Sequence, residues 1–145
     1  MLSAAARKQL SSIDRELIEQ RVRAIWDCRA HGDIDGLLDY LAPDCVYVVT
    51  SWVGQPVTIS REGREACGEL ARQIHILIEP RTAEVTELVV DGEQVAACRR
   101  VLVANRGTGR TAELDICYFM RFRDGLLVEM HERTDTLGMI QLCGG

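Results

Sequence analysis

Apolar residues fall on a helical period in the first half of the chain and on a period of two in the second. Ser11 or Asp14 can cap a first helix running from about Arg15 to Ala30. Its apolar stripe is Ile18, Val22, Ile25 and Trp26, and His31-Gly32 ends it. "DIDGLLDYL" repeats the period with Ile34, Leu37, Leu38 and Leu41, which predicts a short second helix stopped by Pro43. "REACGELARQIHILI" predicts a third, with Cys67, Leu70, Ala71, Ile74 and Ile78 on one face.

Between the second and third helices, "CVYVVTSWV" is β-branched and aromatic and reads as a strand, and "GQPVTISRE" reads as a loop. Everything after Pro80 reads as sheet. "TAEVTELVV" turns at Asp91-Gly92 into "QVAACRRVLVA". "NRGTGR" leads into "TAELDICYFMRF", and Asp124-Gly125 turns that into "LLVEMHERTD". Long strands joined by short turns pair antiparallel. The expected class is α+β, with three N-terminal helices packed on one curved sheet.

The 145 residues make a single domain, with 1–12 as a flexible N-terminal segment. Apolar content is 47%, enough for a core. The net charge of −5 disfavours nucleic acid and anionic membranes as partners. The arginines of "RVRAIWDCR" and "RRVLVANRGTGR" are interrupted by acidic or apolar residues and read as solvated faces. None of the six cysteines forms a CxxC or a zinc-spaced cluster with histidine. They read as reduced and mostly buried, in a cytoplasmic protein with no signal or membrane segment. "RGTGR" lies between two strands, not between strand and helix, so no phosphate-binding loop or cofactor is implied.

With "HGDIDGLLDYLAPDCVY" near the start and "FRDGLLVEMHERTDTLGMIQ" at the end, the chain resembles the nuclear transport factor two-like superfamily. It looks most like the SnoaL-like branch, related to polyketide cyclases, limonene epoxide hydrolases and ketosteroid isomerases. The resemblance spans about Asp14 to Leu142. It implies a cone: a strongly bent, mixed, mostly antiparallel sheet around the third helix, enclosing one apolar cavity. It also implies a cofactor-independent isomerase, dehydratase, cyclase or hydrolase type of activity, or a binding module of the same shape.

The resemblance carries over residue by residue. Glu132 matches an aspartate that acts as acid or base in the SnoaL-like cyclases and limonene epoxide hydrolases. Alternation places it with Val128, Met130 and Thr134, opposite Glu129, His131 and Arg133. Arg99 matches the arginine that holds that aspartate, shares a face with Val95, Ala97, Val101 and Val103, and is expected to pair with Glu132. Tyr47 matches a water-orienting tyrosine. Val101 and Val49 stand where the epoxide hydrolases have a second aspartate and an asparagine. Val49 and Ile25 stand where the ketosteroid isomerases have their base and oxyanion tyrosine. Trp26, Leu41, Ile74, Ile78, Leu114, Ile116, Tyr118 and Met130 are the expected substrate-binding walls.

His131, His75 and His31 are scattered and read as structural, with no metal-ligand pattern. Asp135 is expected to cap or hydrogen-bond the turn after the last strand. Two functions follow. One is an acid/base enzyme acting on an apolar, oxygenated small molecule through Glu132, Arg99 and Tyr47. The other is a non-catalytic module that dimerises through the outer sheet face, where Leu102 and Phe119 lie.

Overall fold

The computed structural model describes residues 1–52 and 56–144. The first helix, α1, spans Ala4–His31. It begins well before Arg15, so Ser11 and Asp14 lie inside it and do not start it. Ser3 caps the helix, its hydroxyl accepting from Ala6 N at 3.1 Å. Three successive alanines behind such a cap are strong helix formers. Gly32, at φ 67°, closes the far end.

Helix α2 is Ile34–Leu38, capped by Asp33. Leu41 is not its last residue but the first of strand β1, Leu41–Trp52. The remaining elements are β2 Pro56–Glu62, α3 Arg64–Leu77, β3 Ile78–Asp91, β4 Gln94–Asn105, β5 Thr111–Arg123, β6 Leu126–Thr134 and α4 Thr136–Cys143. Ile78 therefore opens a strand and does not close the third helix. β2 replaces the expected loop. It pairs antiparallel with β1 at the sheet edge, where Pro56 as first residue costs no ladder hydrogen bond. Val53, the end of the strand read from sequence, lies outside the described residues.

The sheet is six-stranded and open, in the order β2-β1-β6-β5-β4-β3. β1 runs parallel to β6, and every other pair is antiparallel. A register shift between Val85 and Glu87 lets Val85, Leu88 and Val90 all pack on the core side of β3. A second shift beside Phe122 buries both Leu127 and Val128 of β6.

Helices α1, α2 and α3 fill the concave face. Val22, Ile25 and Trp26 pack with Leu37, Leu70, Tyr118, Phe122 and Met130 in one core. α4 covers a second, smaller core of Val101, Val103, Ala112, Leu114 and its own Leu142. The sequence reading ended in a strand and missed α4. An eight-residue helix this apolar carries no readable period. Asp135 is its cap, accepting from Gly138 N at 3.2 Å. Of the cysteines only Cys45 and Cys67 are buried; Cys28, Cys98 and Cys117 are half-buried and Cys143 is exposed. The expectation of mostly buried thiols is corrected accordingly. No described helix is long and apolar enough to cross a membrane.

Candidate active site

The buried stripe of α1 continues one turn past Trp26. Arg29 stands four residues after Ile25 and three after Trp26, so it points where they point. Its side chain is 15% exposed and meets the Glu132 carboxylate, 6% exposed, with Nη1 donating to Oε1. Glu132 is held between Val49 of β1 and Tyr118 of β5, its two cross-strand neighbours. It projects inward on the face that alternation assigns to it.

The expected partner was Arg99, and here the structure differs. Arg99 lies on the same face but forms no ion pair with Glu132. Its Nη2 donates to the Tyr118 hydroxyl at 2.7 Å. Its guanidinium sits 4.4 Å from the Trp26 ring centroid and 5.1 Å from that of Tyr118. Trp26 and Tyr118 are themselves 5.3 Å apart. The helix supplies the carboxylate's counter-charge, and the sheet arginine is left stacked on aromatic faces.

Both phenols are held neutral. Burial pushes the Tyr47 pKa well above its ordinary range, and the Glu132 carboxylate adds to this against the opposing charge of Arg29. Tyr118 is raised for the same reasons, burial first, with Arg99 and Arg29 opposing. Burial alone would lower the Arg29 pKa. Glu132 outweighs it, and the guanidinium is held charged above its usual range. Arg29 also packs over the Tyr47 ring at 5.3 Å. The Tyr47 hydroxyl is buried against the Glu132 carboxylate, whose charge and hydrogen bonding both add to the rise in its pKa.

The void beside this cluster, walled by Arg29, Tyr47, Leu41, Ile25 and Met130, is about 10 Å³. That is room for one water. A hollow of about 380 Å³ opens on the opposite face of the sheet, lined by Val89, Ala96, Phe119, Arg121, Glu129 and His131. Volume and chemistry thus point to different faces. We place the candidate site at the buried cluster, because buried, mutually perturbed ionisable groups mark chemistry better than an open hollow does. The outer hollow holds surface ion pairs such as Arg121–Glu129.

The structure brings Glu132, Arg99, Tyr47, Trp26, Tyr118, Leu41 and Met130 together. Ile74 and Ile116 sit half-buried at the margin of the same core. Leu114 and Ile78 belong to the second core under α4, away from the cluster. Arg29 was missed, read as part of a solvated run. Its helical spacing from Val22, Ile25 and Trp26 was the available signal. His131 lies on the outer face, its Nε2 2.6 Å from Glu129 Oε1. His75 faces Arg106 and His31 contacts the Asp27 carbonyl, both away from the cluster. Among the described residues, no group of His, Cys, Asp and Glu side chains gathers as a metal site.

A model of the SnoaL-like domain matches residues 22–130. The chain belongs to the SnoaL-like family. Solved structures share the fold. An NTF2-like protein of unknown function from Burkholderia pseudomallei is 25% identical, with a TM-score of 0.75 over 89% of this chain and 98% of that one. An LEH-like epoxide hydrolase from M. tuberculosis is 18% identical, with a TM-score of 0.71 over 90% and 92%. A Jannaschia protein assigned as a SnoaL-like polyketide cyclase is 18% identical, with a TM-score of 0.75 over 90% and 94%. No curated protein sequence matches. This SnoaL-like chain carries Glu132 two residues beyond the matched segment, so its carboxylate has to be read from the structure.

Proposed function

We propose that the protein is a cofactor-independent acid/base enzyme acting on a small oxygenated molecule, of isomerase, dehydratase, cyclase or hydrolase type. One observation carries this reading: a carboxylate, two guanidiniums and two neutral phenols converge on the concave face around a buried ion pair. Burying such groups costs several kcal/mol per ion, roughly, when apolar residues would pack as well. Glu132 takes the proton from substrate or water. Arg29 fixes its orientation. Tyr47, a buried neutral phenol beside that carboxylate, donates to the substrate oxygen, and Arg99 adds positive potential where negative charge develops. The one-water void requires side chains at the site to give way as substrate enters.

The test is turnover of a panel of enolisable ketones, epoxides and lactones by wild type and Glu132→Gln. Wild type should convert at least one, and the variant should lose about 10²-fold or more. Undiminished turnover by Glu132→Gln would refute the assignment.

A second reading, dimerisation through the outer sheet face, is supported by Phe119, 51% exposed, and Val89, 60% exposed, beside the outer hollow. Leu102, the other residue expected there, is only half-buried. Light scattering on Phe119→Glu should then report a monomer where wild type is a dimer.

A further inference from the structure

The concave-face cluster is unbalanced in charge and in hydrogen bonding, and both imbalances have the same sign. Two guanidiniums, Arg29 and Arg99, face one carboxylate, Glu132, and Glu132 is engaged by Arg29. Arg99 has no ion-pair partner among the described residues. The acceptor it finds among the described residues is the neutral oxygen of Tyr118. Two buried donors of the cluster find no acceptor among the described residues: Arg99 Nε and Trp26 Nε1. Their side chains are in direct contact, since Arg99 lies 4.4 Å over the Trp26 ring. A buried donor without an acceptor is costly and is rare in folded proteins. This corner of the site presents positive charge and N–H groups and lacks an anion.

Its surroundings define the rest of the ligand. Val85 of β3 and Ile116 of β5 are the direct cross-strand neighbours of Arg99, and both are half-buried. They flank Arg99, which is half-buried as a residue while its Nε is enclosed, so a ligand reaches that nitrogen only as neighbouring side chains give way. Stacking on Trp26 and Tyr118 fixes the guanidinium plane, so its remaining N–H groups form a rigid fork.

We propose that Arg99 is the docking point for a substrate carboxylate, so that the site takes a small carboxylic acid with an apolar body. The carboxylate lies in the guanidinium plane against Nε, with the Trp26 indole N–H as a further donor. A carboxylate fits better than a lone carbonyl because it offers two acceptor oxygens and the charge the pocket lacks. Glu132 then stays free for proton transfer. The inference rests on the concave face being a small-molecule site.

The experiment is a binding titration of the full chain, nitrogen-labelled, followed by NMR. Phenylacetate is the probe and neutral phenylacetamide its isostere. The indole N–H of Trp26 is the reporter, assigned by its loss in Trp26→Phe. Phenylacetate should shift that resonance saturably and bind at least ~10-fold more tightly than the amide. Arg99→Met should bring the acid down to the level of the amide, and Arg99→Lys should restore part of the difference. Equal binding of acid and amide, or undiminished acid binding by Arg99→Met, overturns the proposal while leaving a concave-face ligand site standing. If neither probe moves any concave-face resonance, both the site and the carboxylate assignment fall. The acid–amide comparison on wild type decides the matter even if a variant fails to fold. No turnover is read, so the fate of Glu132 as a proton carrier does not enter.

Discussion

Removing the positive end of the buried ion pair, by Arg29→Met, should destabilise the fold more than any surface change. Both side chains are well under a third exposed, so solvent screening takes little from the interaction. Breaking a buried pair from one side costs about 3–5 kcal/mol, because the remaining charge is left in the interior. Arg99, on the same face, compensates part of that charge and places the expectation near the low end, about 3 kcal/mol. With a urea slope of roughly 2 kcal/mol/M, the unfolding midpoint should fall by about 1.5 M. The melting temperature should fall by roughly 9 °C. Glu132→Gln strands the guanidinium instead and should also destabilise. The double variant, neutral on both sides, should lose clearly less than the two singles combined, by about 2 kcal/mol or more. Equilibrium urea denaturation of wild type, both singles and the double closes the cycle. If Arg29→Met costs less than about 1 kcal/mol, or the singles add to the double within ~0.5 kcal/mol, the two groups do not form the pair described here.

Two further predictions follow from the titrating groups. Tyr47 and Tyr118 have folded pKa values above the ordinary phenol value of 10.0, chiefly through burial. Their contribution to stability is therefore complete below that pH and is lost as pH rises through the folded values. Ultraviolet titration should show these two of the three tyrosines ionising only as the protein unfolds in alkali. If all three ionise near pH 10 with the fold intact, the phenols are not held as described. Cys98 and Cys117 are direct cross-strand partners, with sulfurs 3.1 Å apart on the outer face. Excess glutathione disulfide should oxidise the two thiols to one disulfide and release two glutathione molecules. Peptide mass analysis should find a linked pair lighter by two hydrogens. The Cys98 thiol is pushed up to about 11, first by its bond to Cys117, so the reaction should speed up with alkalinity; no linked peptide at any pH would refute the geometry.

The large features of the fold were readable because each repeats a period. Val22, Ile25 and Trp26 mark α1, Cys67 to Ala71 mark α3, and alternation through β4, β5 and β6 puts Arg99, Tyr118 and Glu132 on one face. What escaped is what periodicity does not encode. β2 is short and begins with Pro56, which reads as a breaker until an edge strand is seen to need no donor there. α4 is mostly apolar with no polar face, and its cap, Asp135, marks its start. The start of α1 was placed late because Ala4, Ala5 and Ala6 favour helix by propensity without forming a stripe.

The site was legible in its members and not in its pairings. An inward Arg99 and an inward Glu132 follow from alternation, and opposite charges on one apolar face suggest each other as partners. Two strand residues on one face can nevertheless stand too far apart along their strands to meet. In the register found, Arg99 lies opposite Ile116, whereas Glu132 lies opposite Tyr118, two residues further along β5. The tyrosine stands between them, and Arg99 bonds to it instead. The counter-charge then has to come from above the sheet, and the helix crossing there brings Arg29. That crossing depends on how α1 lies against the sheet, which no single segment of sequence specifies. Because α1 neutralises Glu132, the arginine on β4 is left without a carboxylate among the described residues, and this is the imbalance that the proposed substrate carboxylate would answer.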